Sequence, residues 1–500
     1  MRIAFRLPSY FPQPNAALPA QASSHHSSLQ SLFRPFIQPF VRHRFVRPAP
    51  RQNISANRPT LPHQRPEARV HNRRMDTPAA GPVKTAGGNY DVTQRPNDPY
   101  INRINKQSFD KQRAVDQLTQ WTGKWQDSNR NNLTEISYTF NKGQDRFNDT
   151  QKQEARRAIQ SWSDVANLAF TENGGRAEGR LSFQIDKNVT AADGAYPGHF
   201  HNAGDTRYSP GFVARHVMTH EIGHSLGLTH PGHYDGSAND SQRLYAQDSK
   251  AHTVMSYFGA QGSGKSLRNT PIAPMMDDIS AIQHKYGANH HIRRENTTYG
   301  FNSNSGRDYY SLNSNRDAAA FCIWDGAGND TLDVSGYHQN QVINLKAGSF
   351  SDVGGGQGNV SIARDCLVEN AVGGAGHDAL IGNDADNRLT GGGGADRLRG
   401  GSGADSFVYN HASDSTLENA DEIMDFTSGT DQIDLRGMEK SANTRLTLVK
   451  AFTGRIGETM VSFNPQSQRY FIAIDLTGNR TTDFLVKSTQ VIKPEDILVN

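Results

Sequence analysis

The stretch "HVMTHEIGHSLGLTH", His216 to His230, gathers four histidines and one glutamate within fifteen residues near the middle of a 500-residue chain. On a helix, side chains four apart share a face, so His220 and His224 can present two imidazoles to one ion. Glu221 follows the first of them and can reach a water on that ion without displacing it. Gly227 permits the left-handed turn that reverses the chain and returns His230 as a third ligand. Three neutral imidazoles with one position open describe a catalytic zinc, whereas a structural site would be closed by four protein ligands. A helix with merely solvated histidines would account for HExxH alone. It would not account for the glycine and the third histidine standing where that geometry requires them. His216, one turn earlier, reads as a surface or packing residue.

Elements able to hold this stretch lie on both sides of it. "FDKQRAVDQLTQW" predicts a helix and "LTEISYTF" a strand. In "DTQKQEARRAIQSWSDVANLAF" Ile159, Trp162 and Ala166 share a helical face, with Asn148 or Asp149 available as the cap. "RLSFQID" alternates Leu181, Phe183 and Ile185, and "PMMDDISAIQHKYG" predicts a helix with Met276, Ile279 and Ile282 inward and Gly287 at its end. These elements make an open α+β arrangement.

Beyond about Ala288 the texture turns to glycine, aspartate and asparagine, and a period of nine emerges. Units begin at Gly373, Gly382, Gly391 and Gly400, with a detached copy at Asp325. Each spends six residues on a turn and three on a short strand. Leu380, Leu389, Leu398 and Phe407 recur at the eighth place, so stacked turns build a narrow apolar core. Asp378, Asp396 and Asp405 recur at the sixth and offer carboxylate oxygen to calcium, with backbone carbonyls completing the shell. Asn387 breaks that series, so its turn is expected to bind calcium more weakly. A flexible linker has no reason to keep both period and leucine position. "RLTLVKAF" and "RYFIAIDL" predict strands near the end.

The net charge of +3 conceals an asymmetry. Residues 1–80 hold twelve arginines against Glu67 and Asp76, a surplus of ten that leaves the other 420 residues near −7. The folded part is therefore mildly acidic, which argues against a nucleic-acid partner. Twelve of the twenty-two prolines also fall in residues 1–80, which read as disordered. A start at Met75 is the alternative for that segment. No run of eighteen apolar residues predicts a membrane span, and "MRIAFRLPSYFPQP" has prolines where a signal peptide needs an apolar core. Cys322 and Cys366 are the only cysteines, which excludes a zinc–thiolate site at the histidines. Whether they form a disulfide stays open, with two buried free thiols the favoured reading.

"HEIGHSLGLTHPG" together with "VMSYF" resembles the serralysin group of the metzincins, secreted bacterial zinc endopeptidases with a parallel β-roll behind the protease domain. The resemblance runs from about residue 104 to 500. It implies a multidomain chain: an α+β metzincin zinc-protease domain over 104–287, then an all-β, calcium-binding parallel β-roll (RTX) with a β-sandwich-like C-terminal export region over 288–500. Residues 81–103 would be propeptide or linker. It makes Met255 an apolar floor under the histidines and Tyr257 a zinc ligand that swings aside to stabilise the tetrahedral intermediate. "AYPG", Ala195 to Gly198, resembles the edge segment that holds an extended substrate, though a turn without function is the alternative.

Calcium ligands are implied in three loops: Arg293, Glu295 and Thr297; Asp325, Ala327, Gly328 and Asp330; Leu367, Glu369, Gly374, Gly376 and Asp378. Gly391, Gly392, Gly400, Gly401 and Gly403 join Asp396 and Asp405 in the repeats. Glu295 stands where the family has glycine and Leu367 where it has threonine, which removes a hydroxyl contact at the second. "DILV", Asp496 to Val499, resembles the family's uncleaved export signal, implying a type I secretion machinery, an extracellular location and a monomer acting on protein and peptide substrates. The expected function is a secreted, broadly specific zinc endopeptidase with one catalytic Zn2+ and several structural Ca2+. A calcium-dependent adhesin carrying a vestigial protease is the alternative, and a zinc hydrolase of non-peptide substrates is a third reading.

Overall fold

The computed structural model describes residues 106–500 apart from Gln144, so the readings of residues 1–80 and 81–103 lie outside the described residues. The N-terminal part opens with α1 (Lys111–Thr119), capped by the Asp110 carboxylate on the Arg113 N–H at 2.9 Å. β1 (Thr134–Phe140) leads to α2 (Asp149–Val165), and Asn148, not Asp149, is its cap, exchanging bonds with Gln151 in a capping box. β2 (Leu168–Glu172), β3 (Gly179–Ile185), β4 (Ala192–Gly194) and β5 (Asp205–Tyr208) follow. The sheet order is β2-β1-β3-β5-β4, parallel except for β4, which runs antiparallel along one edge. Phe140, Phe147, Phe183 and Tyr208 pack as one aromatic group on its inner face.

α3 (Arg215–Ser225) carries the histidine motif, and α4 (Met276–Tyr286) closes this part, with Met276, Ile279 and Ile282 inward as the periodicity predicts. Every residue of α3 except His216 is buried. A helix enclosed on all sides has no polar stripe, so only its motif, not its periodicity, marks it in the sequence.

From Thr298 the chain winds into a β-roll of three-residue strands. Ala379–Ile381, Arg388–Thr390, Arg397–Arg399 and Ser406–Val408 occupy the last three places of the four nine-residue units, and Thr331–Asp333 those of the detached copy. Successive units alternate between two sheets, so one full turn takes eighteen residues: Leu380 lies opposite Leu398, and Leu389 opposite Phe407. All four are fully buried. At the far end Glu458–Asn464, Arg469–Asp475 and Phe484–Ser488 form an antiparallel meander that extends one roll sheet by pairing with Asp421–Ile423.

The strand expected in "RLTLVKAF" shrinks to Thr447–Leu448. Past Val449 the backbone turns onto the Glu458 carboxylate, which accepts from the N–H groups of Thr453 and Gly454. One hydrophobic cluster runs from Leu118 and Trp162 through Met255 and Met276 into Phe321, Leu380, Leu398 and Ile433.

Leu398→Ala is expected to cost about 2–5 kcal/mol, because its side chain fills the roll axis between two registered neighbours and the rigid turns cannot collapse onto the hole. Denaturant unfolding measures this, and a loss below about 1 kcal/mol would mean that the turns do not share a packed core.

Candidate active site

α3 ends where Gly227 takes φ +95°, while the Gly227 N–H donates to the His224 carbonyl at 2.8 Å and the Leu228 N–H to the Gly223 carbonyl at 2.9 Å. Thr229 then binds the end of α1, its N–H reaching the Leu118 carbonyl and its hydroxyl the Gln117 carbonyl. This reversal sets His230 beside the two helical histidines. The Nε2 atoms of His220 and His224 lie 3.1 Å apart, those of His224 and His230 3.1 Å, and those of His230 and His220 3.3 Å.

The other ring nitrogens settle the tautomers. Each Nδ1 faces a carbonyl that can only accept: Val254 for His220 at 2.8 Å, Leu228 for His224 at 2.7 Å, Tyr234 for His230 at 2.9 Å. With the proton on Nδ1, three Nε2 lone pairs point at one space, where they repel unless a cation stands between them. Burial, then the neighbouring imidazole, holds all three rings well below the usual histidine range, so they stay neutral as ligands must. The donor set therefore fits a metal ion.

Glu221 is fully buried and neither carboxylate oxygen has a hydrogen-bonding partner. Burial drives its pKa well above the usual range, and the charges of Asp193 and Asp235 push the same way. The Tyr257 ring lies 4.6 Å from that of His230 and 5.8 Å from that of His220. Its hydroxyl is held above the ordinary tyrosine value by burial first and by Glu221 second. Met255 packs against α3 beside His224: a Cβ added to Gly223 would stand 2.5 Å from its Sδ. β4 closes another side, and a Cβ on Gly194 would come 2.5 Å from the Glu221 carbonyl. Strand pairing is confined to Ala192–Gly194, so "AYPG" continues from the edge strand and is not itself the strand. The Ala195 N–H still donates to the Asp205 carbonyl at 2.8 Å, and the Tyr196 ring meets that of His224 edge-on at 5.5 Å. His216 stays out of the trio, its pKa lowered to about 4 by burial and then by Lys250.

The sequence reading missed the residues that steady these groups. Asp278 of α4 accepts from the Thr253 hydroxyl at 2.6 Å and from the Val254 and Met275 N–H groups at 2.7 and 2.8 Å, which fixes the carbonyl that orients His220. Its only sequence signal is the acidic pair in "PMMDD". Tyr234 stacks on His230 at 5.2 Å and donates its hydroxyl to Asp248 at 2.9 Å.

In the roll, carboxylates climb in columns. Asp330 Oδ1 accepts from the Thr297 N–H at 2.8 Å and Glu369 Oε2 from the Asp330 N–H at 2.7 Å. Asp378 accepts from the Gln341 N–H, Asp396 from Asp378, and Asp421 from Asp396. Asp405 accepts from Asn387, and Asp431 from Asp405. The Oδ2 atoms of Asp396, Asp405 and Asp421 are buried without a hydrogen-bonding partner. Asp421 and Asp431 thus extend the columns beyond the residues expected from the repeat.

A Cβ on Gly391 or Gly400 would strike the carboxylate of Asp396 or Asp405. One on Gly374, Gly392, Gly401 or Gly403 would strike a carbonyl of the adjoining turn, and one on Gly376 the Gln339 carbonyl. Asn387 is satisfied by amide bonds to Glu369 and Asn383. In the entry loops the Thr297 hydroxyl donates to the Glu295 carbonyl, the Ala327 N–H to Asp325, and Gly328 packs against the Glu295 carbonyl. The Arg293 side chain turns away toward Asp164, and Leu367 is half-exposed. Among the described residues the histidines are the only acid, cysteine or histidine side chains gathered three at a time. Both cysteines are buried and unpaired.

Residues 288–499 match the family described as Peptidase M10 serralysin C terminal. Over 441 residues the chain is 42% identical to Metallopeptidase AprA of Pseudomonas marginalis, covering 79% of this chain and 92% of that protein. It is 43% identical over 446 residues to Metalloprotease AprA of Pseudomonas entomophila, covering 79% and 91%, and 40% identical over 415 residues to Serralysin of Proteus mirabilis, covering 70% and 84%. Together with the buried imidazole trio, this similarity defines the protein as a metalloendopeptidase. The chain belongs to the serralysin family.

Gly227→Ala is expected to destabilise the protein by about 1–3 kcal/mol, since φ +95° strains any other residue and its Cβ would strike the Gly123 carbonyl. Metal content should fall with it as His230 is displaced. Thermal unfolding paired with elemental analysis reads both, and an unchanged metal content would detach the reversal from the trio.

Proposed function

We propose that this protein is a secreted, broadly specific zinc endopeptidase in which residues 104–287 form the protease domain and 288–500 a calcium-stabilised roll with the export signal at its end. The observation that carries this reading is the convergence of three Nε2 lone pairs, each fixed by an Nδ1 bond to a carbonyl, beside a buried and unpartnered Glu221. His220, His224 and His230 would hold the zinc, and Tyr257, its ring 4.6 Å from that of His230, would be the fourth side chain beside it. When bound, zinc supplies a Lewis acid that acidifies a water and polarises the scissile carbonyl.

The chain's own residues do the rest. Glu221, buried with both carboxylate oxygens unpartnered, takes the proton of the attacking water and delivers it to the leaving amine. Tyr257 keeps its hydroxyl proton and donates a hydrogen bond to the developing oxyanion. β4 uses one edge on β5, and its other edge offers backbone groups to an extended peptide of almost any sequence. No helix among the described residues is long and apolar enough to cross a membrane. We assign export to a type I secretion machinery and the working form to a monomer.

Glu221→Ala is expected to retain its zinc and to lose on the order of 10^2–10^4-fold in kcat/KM for peptide cleavage. Tyr257→Phe should lose about 10^2-fold, mainly in kcat. Metal analysis beside peptide kinetics tests both, and full cleavage by Glu221→Ala, or by protein stripped of zinc, would remove the assignment.

Calcium predicts a pH signature. Asp405 is pushed up to about 7 by burial and then by the nearby Asp431 charge, and Asp396 shifts the same way by burial and then Asp378. A carboxyl raised in the fold favours its protonated form. Without calcium, then, these groups support folding most at acid pH and weaken it as pH rises from about 4 through about 7. Calcium binds the ionised form, so its stabilising increment should be larger near pH 8 than near pH 5. Thermal melts in chelator and in millimolar calcium at both pH values measure this, and a larger increment at the acid value would contradict calcium coordination by these aspartates.

A further inference from the structure

Helix α3 violates the rules for a helix start. Its N-cap is Ala214, which makes no side-chain bond, its first turn has no acidic residue, and its first residue is Arg215, a cation at the positive end of the helix dipole. Arg215 is nevertheless buried, 7% exposed. Its guanidinium makes a two-pronged pair with Asp308, Nη1 to Oδ2 at 2.7 Å and Nη2 to Oδ1 at 2.9 Å. Asp308 comes from beyond α4, in the short helical turn Asp308–Tyr310 at the start of the roll. Arg157 of α2 reaches the same carboxylate at 3.2 Å and pairs with Glu154 at 2.8 Å.

The residues on either side of Asp308 grip the other end of α2. Asp164, 2% exposed, accepts from Arg307 Nε and Nη2 at 2.7 and 2.8 Å and from the Tyr309 hydroxyl at 3.0 Å. Arg293 adds a bond at 3.1 Å. Between these anchors the Trp162 indole N–H of α2 donates to the Thr219 carbonyl of α3 at 3.1 Å, one residue before His220. Three consecutive roll residues therefore bind α2 and the start of α3 at once.

We infer that Asp308 is a positioning residue for catalysis: the roll segment Arg307–Tyr309 pairs with Arg215 at the start of α3 and ties it to α2, holding His220, Glu221 and His224 in register. The roll is then part of the active-site scaffold and not only a calcium-dependent appendage. This rests on the roles proposed for those three residues. The structural cause is the two-pronged pairing of the Asp308 carboxylate with the buried Arg215 guanidinium, closer than the Glu154 carboxylate at 3.9 Å and not reproduced by a neutral isostere.

The test uses the full-length, metal-loaded protein with Asp308→Asn and Asp308→Glu. Four readouts are taken: zinc content, kcat and KM on a peptide substrate, the unfolding midpoint, and hydrogen exchange of the α3 amides. Asp308→Asn is expected to keep zinc and KM, lower kcat about tenfold, and speed exchange across 216–225, with Asp308→Glu restoring most of the kcat. If Asp308→Asn does not fold, Arg157→Gln, which removes one of the partners of Asp308, should show the same pattern at about threefold. A lowered midpoint with kcat and α3 exchange unchanged would overturn the inference, leaving the pair a stabilising contact only. The exchange readout does not depend on activity, so failure of the catalytic assignment, seen as an active Glu221→Ala, is distinguishable from failure of this one.

Discussion

The arrangement of this enzyme depends on three imidazoles being forced to aim unprotonated nitrogens at the same space. That geometry is unfavourable in a bare protein, because lone pairs about 3 Å apart in a low-dielectric interior repel and each lost its water on burial. It persists because the opposite nitrogen of every ring is tied to a backbone carbonyl, and those carbonyls come from separate places: Leu228 in the reversal after α3, Tyr234 in the loop beyond it, and Val254 in the turn ahead of Met255. Binding a cation reverses the sign of the main electrostatic term. Metal affinity and fold integrity are then two measures of one quantity.

The roll solves a related problem by another route. Its columns of carboxylates give one oxygen to the backbone N–H of the adjoining turn and keep the other apart, as Asp396, Asp405 and Asp421 show. The first bond fixes the stacking of turns, while the second oxygen is buried without a hydrogen-bonding partner. The apolar axis through Leu380, Leu389, Leu398 and Phe407 contributes one side chain per strand, too narrow a core to absorb several buried charges unaided.

What could be read from the sequence follows how local each constraint is. HExxHxxGxxH is legible because helix periodicity and one left-handed glycine suffice to bring its members together. The eighth-place leucines are legible because a fixed period imposes a fixed register. Asp421 and Asp431 escaped because they lie 25 and 26 residues beyond the aspartates whose N–H groups they accept, in place of the eighteen of a regular turn. Asp278 escaped for a different reason: it accepts from the N–H of Val254, whose carbonyl orients His220, a contact made only once α4 is packed. The strand expected over "RLTLVKAF" was too long because alternating residues on an exposed edge resemble a strand even where a glutamate bends the backbone away.

The start of α3 carries the same lesson further. Local rules call for an acid or a small polar cap there, and the sequence supplies alanine followed by arginine. Taken alone, "ARHVMTHEIGH" is a poor helix start, and its arginine is paired with a carboxylate 93 residues later. A helix buried on every side needs partners on every side: α1 through Thr229, α2 through Trp162, β4 through Gly194, the Met255 turn through Gly223, and the roll through Arg215. Its first residue is held by a tertiary ion pair and not by a local cap. That is why the hydrophobic cluster passes from the sheet into the roll without interruption, and why the element with the most legible chemistry has the least autonomous fold.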